Sequence, residues 1–185
     1  MKRDERPWEP EPIPVEEFRD TEAWANINRS PLDRVSGVVY KRAANIKRVA
    51  YEPLQPAPEM PETWQGRGRA VVRWLFSEQT GTEEGVLPGR GFSALRDIEL
   101  PPGSATGQSA EQGLDTILYV VDGEGVLNHR PSTGSPIVAR PLREGDAVLI
   151  EAGELYSVEN PFEDDVLRLI VLTLTTPGIT QVEKT

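Results

Sequence analysis

The 185-residue chain reads as an all-β sandwich or barrel behind an extended, proline-rich N-terminal arm. Three observations predict this. Nine of the 17 prolines fall within the first 61 residues, and each fixes φ and removes a backbone donor. From Ala70 onward, eight short β-like runs are separated by Gly- and Pro-containing turns, the pattern of a sandwich or barrel. No long helical period separates the runs, which argues against an α/β fold.

The length suits one core plus an arm rather than two full cores. We divide the chain into an arm over residues 1–65, a barrel over 66–177 and a short tail over 178–185. The arm can hold a helical turn around Val15-Glu16-Glu17-Phe18, and another after the cap Asp20-Thr21. An extended stretch follows from Val35 to Tyr40. Ordering such an arm costs conformational entropy, which buried aromatic area must offset. Trp8, Phe18, Trp24 and Trp64 are the expected anchors, holding the arm against the barrel or a partner subunit.

The barrel runs are Ala70 to Phe76, Phe92 to Leu100, Thr116 to Val121, Gly125 to His129, Ile137 to Leu142, Ala147 to Ile150, Tyr156 to Glu159 and Val166 to Leu174. Asp122-Gly123-Glu124-Gly125 and Arg143-Glu144-Gly145-Asp146 read as tight hairpins, since glycine reaches positive φ where a chain reverses. Thr116 to Val121 and Val166 to Leu174 are apolar at nearly every position, so both of their faces should be covered. The arm or a second subunit would supply that cover, which predicts a homodimer.

Charge and rare residues bound the function. Thirty acidic residues against 20 basic ones give a formal charge of −10, which disfavours nucleic acid and anionic membranes as partners. The chain has no cysteine and one histidine, His129. Zinc fingers, HExxH sites and three-histidine metal sites are therefore excluded. The N-terminus lacks the apolar segment of a signal peptide, and the longest apolar stretch falls short of the roughly 20 residues of a membrane helix. A cytoplasmic protein is the expectation. Gly66-Arg67-Gly68-Arg69 lacks the Lys-Ser/Thr of a phosphate loop, and no G-x-S-x-G elbow is present.

The glycine spacing resembles the two motifs of the cupin superfamily. Gly103 is followed by five residues, Ser109-Ala110-Glu111, four residues, Thr116, six residues and Gly123. Gly145 is followed by five residues, Glu151-Ala152-Gly153, two residues, Tyr156, three residues and Asn160. The resemblance covers about residues 90–175 and implies a double-stranded β-helix, or jelly-roll barrel. In that family the motifs supply three histidines and a glutamate that hold a divalent metal. Here those places carry Ser109, Glu111, Thr116 and Tyr156. Only Glu111 is a good ligand for a hard metal, so neither a metal nor another cofactor is expected. Strand alternation turns Asp115 to the opposite face, and His129 follows a turn at the rim rather than occupying a ligand position.

If those positions face inward, the barrel holds Ser109, Glu111, Thr116 and Tyr156 with Leu118 and Val120 behind them. An apolar cavity with a few convergent polar groups is the general form of a small-molecule site. Glu111 and Tyr156 could then act as base and acid, because an apolar cavity raises a carboxyl pKa. Yet the loop Thr106 to Gly113 is rich in Gly, Ser, Gln and Ala, which favours a solvent-facing Glu111. On Phe92 to Leu100, alternation sets Arg96 on the apolar face with Phe92, Ala94, Ile98 and Leu100. It needs an acidic partner, Glu111 or Asp115, or an anionic ligand. Arg73 and Arg168 pose the same question on their strands.

The sequence thus predicts a dimeric barrel binding a small organic molecule, anionic if Arg96 takes part. Tyr156 and Glu111 are the candidate catalytic pair, and Arg96, Ser109, Thr116, Leu118 and Asn160 the candidate ligand contacts. Two alternatives stand beside binding: a metal-independent isomerase, epimerase or lyase, and a structural dimer with a filled barrel. Whether the protein is an enzyme is left open.

Overall fold

The computed structural model describes residues 11–14, 33–35, 38–40, 46–52, 64–77, 91–111, 113–132 and 134–175. Its elements are the strands β1 (Ile13–Pro14), β2 (Asp33–Val35), β3 (Val38–Tyr40), β4 (Arg48–Tyr51), β5 (Gly66–Arg67), β6 (Ala70–Ser77) and β7 (Phe92–Leu100). They continue with β8 (Ala105–Thr106), β9 (Leu114–Asp122), β10 (Gly125–Arg130), β11 (Val138–Leu142), β12 (Ala147–Ile150), β13 (Leu155–Glu159) and β14 (Leu167–Thr175). Two of the eight expected runs, β7 and β12, form with the expected bounds, and the other six agree to within two residues.

The strands build a seven-stranded sheet in the order β1-β4-β6-β7-β14-β9-β12 and a five-stranded sheet in the order β11-β10-β13-β8-β5. From β7 onward every connection except β10 to β11 passes from one sheet to the other. This is the jelly-roll barrel. The inner faces meet in a core built on Leu100, Leu118, Leu127, Ile150, Val158, Leu167 and Leu169, all buried. Among the described residues no helix is long and apolar enough to cross a membrane.

Both expected hairpins are instead corners. β9 pairs with β14 and β12, whereas β10 pairs with β11 and β13, so Gly123-Glu124 carries the chain between sheets. Arg143 to Asp146 does the same between β11 and β12. A tight glycine turn reverses the chain in either case, and packing decides where it leads. Gly123 sits at φ 84°, and a Cβ there would lie 2.5 Å from the Val166 carbonyl oxygen. The corner closes directly on the chain entering β14.

Part of the segment assigned to the arm is barrel. β4 lies between β1 and β6 in the large sheet, in register Val49↔Val72 and Tyr51↔Ala70, and Val49 is fully buried. The signal is a four-residue run, Arg48-Val49-Ala50-Tyr51, easily lost among prolines. Of the expected extended stretch Val35 to Tyr40, Val38–Tyr40 forms β3, which pairs antiparallel with β2 before it. The helical turns expected near Val15 and Thr21, and the anchors Trp8, Phe18 and Trp24, lie outside the described residues. Trp64 is buried, with the Arg130 guanidinium 5.6 Å from its ring centroid.

The outer face of the large sheet differs from one edge to the other. Across β4, β6, β7 and β14 the outer face carries Arg48, Arg73, Asp97, Glu99 and Arg168, with Asp97 only 3% exposed. At the other edge, the outer face of β9 and β12 leaves Tyr119 46% and Leu149 60% exposed. Among the described residues, none covers β9 fully at Tyr119.

Candidate functional site

The core is not filled to its end. A cavity of about 230 Å³ opens inside the barrel. Val72, Ile98, Leu118, Val158, Leu169 and Val171 form its apolar wall, and Tyr51, Trp74 and Tyr156 its aromatic one. Its charged and other polar groups are Arg96, Glu111, Ser109 and Thr106.

Arg96 faces inward because β7 alternates, as the sequence predicts, with Ile98 beside it on the cavity wall. Directly across the ladder it pairs with Trp74 of β6. The register slips by one residue between Trp74 and Phe76, a bulge that breaks the alternation just past Trp74. The guanidinium carbon stands 5.5 Å from the Trp74 ring centroid, within cation–π range. Nη2 of Arg96 lies 3.5 Å from Oε1 of Glu111, an ion pair without a close hydrogen bond. Nε of Arg96 is buried and has no hydrogen-bond partner.

Glu111 does not take the solvent-facing place favoured above; it lines the cavity. Its loop is fastened at two points. The Ser109 amide donates to the Tyr156 carbonyl at 2.7 Å and the Tyr156 amide to the Ser109 carbonyl at 3.0 Å, while the Gly153 amide donates to the Glu111 carbonyl at 3.0 Å. Composition identified a loop, but backbone bonds to β13 and the turn before it fix its path over the barrel mouth.

The same isolated bridge brings the Ser109 and Tyr156 side chains together. The Tyr156 hydroxyl hydrogen-bonds with those of Thr116 and Ser109. Burial pushes the phenol pKa above its usual value. Arg96 and these hydrogen bonds pull the other way, Glu111 adds to the rise, and the net shift is upward. The phenol thus stays protonated at neutral pH. Of the positions that the resemblance sets at the family's ligand places, Ser109, Glu111 and Tyr156 line the cavity with Leu118 on its wall. Thr116 is buried beside Tyr156 and is not part of the lining, so its expected contact with ligand is corrected.

Asn160 likewise lies outside the lining, and its expected role in ligand contact is corrected. It is fully buried, and its Nδ2 donates to the Leu100 carbonyl at 2.9 Å and the Asp165 carbonyl at 2.7 Å. Its Oδ1 accepts from the Phe162 amide at 3.2 Å. These bonds pin the connection into β14 and leave Asn160 away from the cavity lining. Arg73 and Arg168 are also structural, paired with Asp97 on the outer face. Asp115 accepts from the Ala152 amide at 2.9 Å. His129 stands opposite Tyr156 in the ladder, with Nε2 3.1 Å from Oε2 of Glu154.

The donor set does not fit a divalent transition metal. Three of the four matching positions offer neutral hydroxyls, and the fourth, Glu111, faces a guanidinium that would repel a cation. Among the described residues no group of three His, Asp or Glu side chains could hold a metal ion. Sequence reasoning missed the cavity residues Tyr51, Val72 and Trp74. Ala70, Val72 and Trp74 do follow a period-two pattern, whereas Tyr51 lay hidden in the proline-rich segment.

Two packed antiparallel sheets around an apolar cavity define a fold class, the jelly-roll barrels. No family model matches the chain. A curated protein of Thermotoga maritima named an oxalate-binding protein is 29% identical over 109 residues, covering 59% of this chain and 79% of its own. The crystal structure of a predicted oxalate decarboxylase from Thermotoga maritima superposes with a TM-score of 0.55 at 21% identity, over 73% of this chain and 97% of that one. The Drosophila melanogaster CENP-C cupin domain matches more loosely, with a TM-score of 0.46 at 17% identity, over 71% of this chain and 72% of that one. The barrel has the cupin fold, and its frame glycines Gly103, Gly123, Gly145 and Gly153 all adopt positive φ.

Proposed function

We propose that the barrel binds a small organic anion whose carboxylate is held by Arg96, without a metal. The observation that carries this reading is the buried Arg96 Nε, a charge-bearing donor on an apolar cavity with no protein acceptor. Buried donors are normally paired, and a carboxylate bridging Nε and the neighbouring nitrogen is the geometry a guanidinium suits. Ser109 and the protonated Tyr156 hydroxyl stand beside it as further hydrogen-bonding groups. The name of the Thermotoga maritima relative supports a carboxylate ligand in this type of barrel.

Binding is favoured over acid–base turnover. A phenol with a raised pKa gives up its proton less readily at neutral pH, and the Glu111 carboxylate faces Arg96 rather than the Tyr156 hydroxyl's hydrogen-bond partners. The third alternative, a filled barrel, is disfavoured by the cavity itself. Calorimetric titration with acetate, oxalate and larger carboxylates tests the reading on wild-type protein and on Arg96→Met. Binding that disappears in the variant is expected. Equal affinity in the two, with only stability altered, would make Arg96 structural. Stoichiometric transition metal in purified protein would overturn the metal-free part.

We also propose that the protein is a homodimer joined over the outer face of β9 and β12, where Tyr119 and Leu149 are exposed. Light scattering on wild type and Leu149→Lys tests this. A dimer that weakens in the variant is expected, and a wild-type monomer at high concentration would exclude it.

A further inference from the structure

We infer that the ligand is an aromatic monocarboxylate rather than a small dicarboxylate. The inference rests on the anion-binding reading above and narrows it to a chemical class.

The first argument is charge. Among the described residues the cavity is lined by one guanidinium, and a carboxylate, Glu111, already stands 3.5 Å from it. One ligand carboxylate can pair with the guanidinium of Arg96, whose buried Nε has no hydrogen-bond partner. A second would meet the repulsion of Glu111 or the apolar wall of Val72, Leu118 and Val171. An ionised group on such a wall has lost water and gained nothing in return.

The second argument is surface. About 230 Å³ is several times the roughly 30 Å³ that one water occupies, and most of the lining is hydrocarbon or aromatic. Oxalate has no carbon outside its carboxylates, so it offers that lining nothing to bury. An aryl group does, because apolar burial scales with area removed from water.

The third argument is placement. Tyr51, Trp74 and Tyr156 surround the space, and Trp74 sits directly opposite Arg96 in the ladder. A carboxylate on Arg96 therefore sets the rest of a short ligand against the Trp74 and Tyr51 rings, which favour edge-to-face or offset contact with another ring.

The experiment is calorimetric titration of the full chain with phenylacetate, phenylacetamide, acetate and oxalate, repeated on Trp74→Leu. Phenylacetate is expected to bind at least about tenfold more tightly than acetate, oxalate or the neutral amide. Trp74→Leu should erase most of its advantage over acetate. Oxalate binding as tightly as phenylacetate would overturn this inference while leaving the anion-binding reading intact. Phenylacetamide binding as tightly as phenylacetate would remove the role of charge and overturn both. So would a lack of binding by every acid. The comparison of acid with amide uses wild-type protein alone, so it decides even if the variant fails to fold.

Discussion

Arg168 holds Asp97 with two parallel hydrogen bonds, Nε to Oδ1 at 2.9 Å and Nη2 to Oδ2 at 2.6 Å, on the face of the large sheet opposite the cavity. Arg73 donates to the same carboxylate from the other side. Burial alone would raise the Asp97 pKa, but the two guanidinium groups outweigh it and hold the carboxyl below its usual 3.8. The two guanidinium groups share this one carboxylate. Asp97→Asn is expected to cost about 3 kcal/mol near neutral pH, because it removes the buried carboxylate that both guanidinium groups share. A depressed folded pKa contributes stability that is complete above the unfolded value, about 3.9, and is lost as pH falls through the folded value. Urea unfolding of both proteins should therefore show a gap that narrows below about pH 4. A gap independent of pH would mean that Asp97 acts by shape alone.

Two frame glycines with the same backbone conformation are expected to respond differently to alanine. Gly123 at φ 84° leaves no room, with the Val166 carbonyl oxygen 2.5 Å from the position of a Cβ. Gly145 at φ 89° has nothing within 4 Å. Gly145→Ala should cost only the left-handed conformation, about 1–2 kcal/mol. Gly123→Ala should add an overpacking cost of about 1–3 kcal/mol. Thermal unfolding of the two variants measures the difference directly, and equal losses would show that the corner at Gly123 yields freely.

Asn160 separates fold from function. Asn160→Ala leaves the Leu100 and Asp165 carbonyls and the Phe162 amide without their side-chain partner. A loss of roughly 2–3 kcal/mol in urea unfolding is expected, by analogy with other buried groups left unsatisfied. Carboxylate affinity by calorimetry should not change, since the side chain is not part of the cavity lining. A weakened affinity with unchanged stability would restore it to the site.

These contrasts show what a single sequence reveals. Strand positions from Ala70 onward were legible because period-two patterning and glycine turns are local signals, and Arg96 stood out as a charge on an apolar face. Which sheet each strand joins was not legible. The turn at Gly123 has the same local chemistry whether it makes a hairpin or a corner, and only the contact with Val166 distinguishes them. Glu111 failed for a related reason, since its orientation depends on a bond between its carbonyl and the Gly153 amide, 42 positions away in the chain. Tyr51 needed a partner strand, β6, before its four-residue run had meaning.

Tyr156 supplies the last prediction. Its phenol is buried, its hydroxyl is shared with Thr116 and Ser109, and its pKa is raised above 10.0 by loss of water, against the opposing pull of Arg96. Tyr156→Phe removes those hydrogen bonds and leaves the buried Thr116 hydroxyl short of a partner, at a cost of roughly 1–2 kcal/mol near neutral pH. The alkaline side runs the other way. A raised folded pKa means the native state keeps a proton that the unfolded chain gives up, so this contribution is complete below about pH 10 and is lost as pH rises through the folded value. The gap between wild type and Tyr156→Phe in urea unfolding should therefore shrink as pH climbs past about 10. Ultraviolet titration gives an independent reading, because subtracting the variant's phenolate absorbance isolates Tyr156 from the other three tyrosines. The difference curve is expected to rise later than that of an ordinary tyrosine. If it rises at the ordinary value, the hydroxyl is solvated, and the dry, neutral donor beside Arg96 on which the binding site depends is not there.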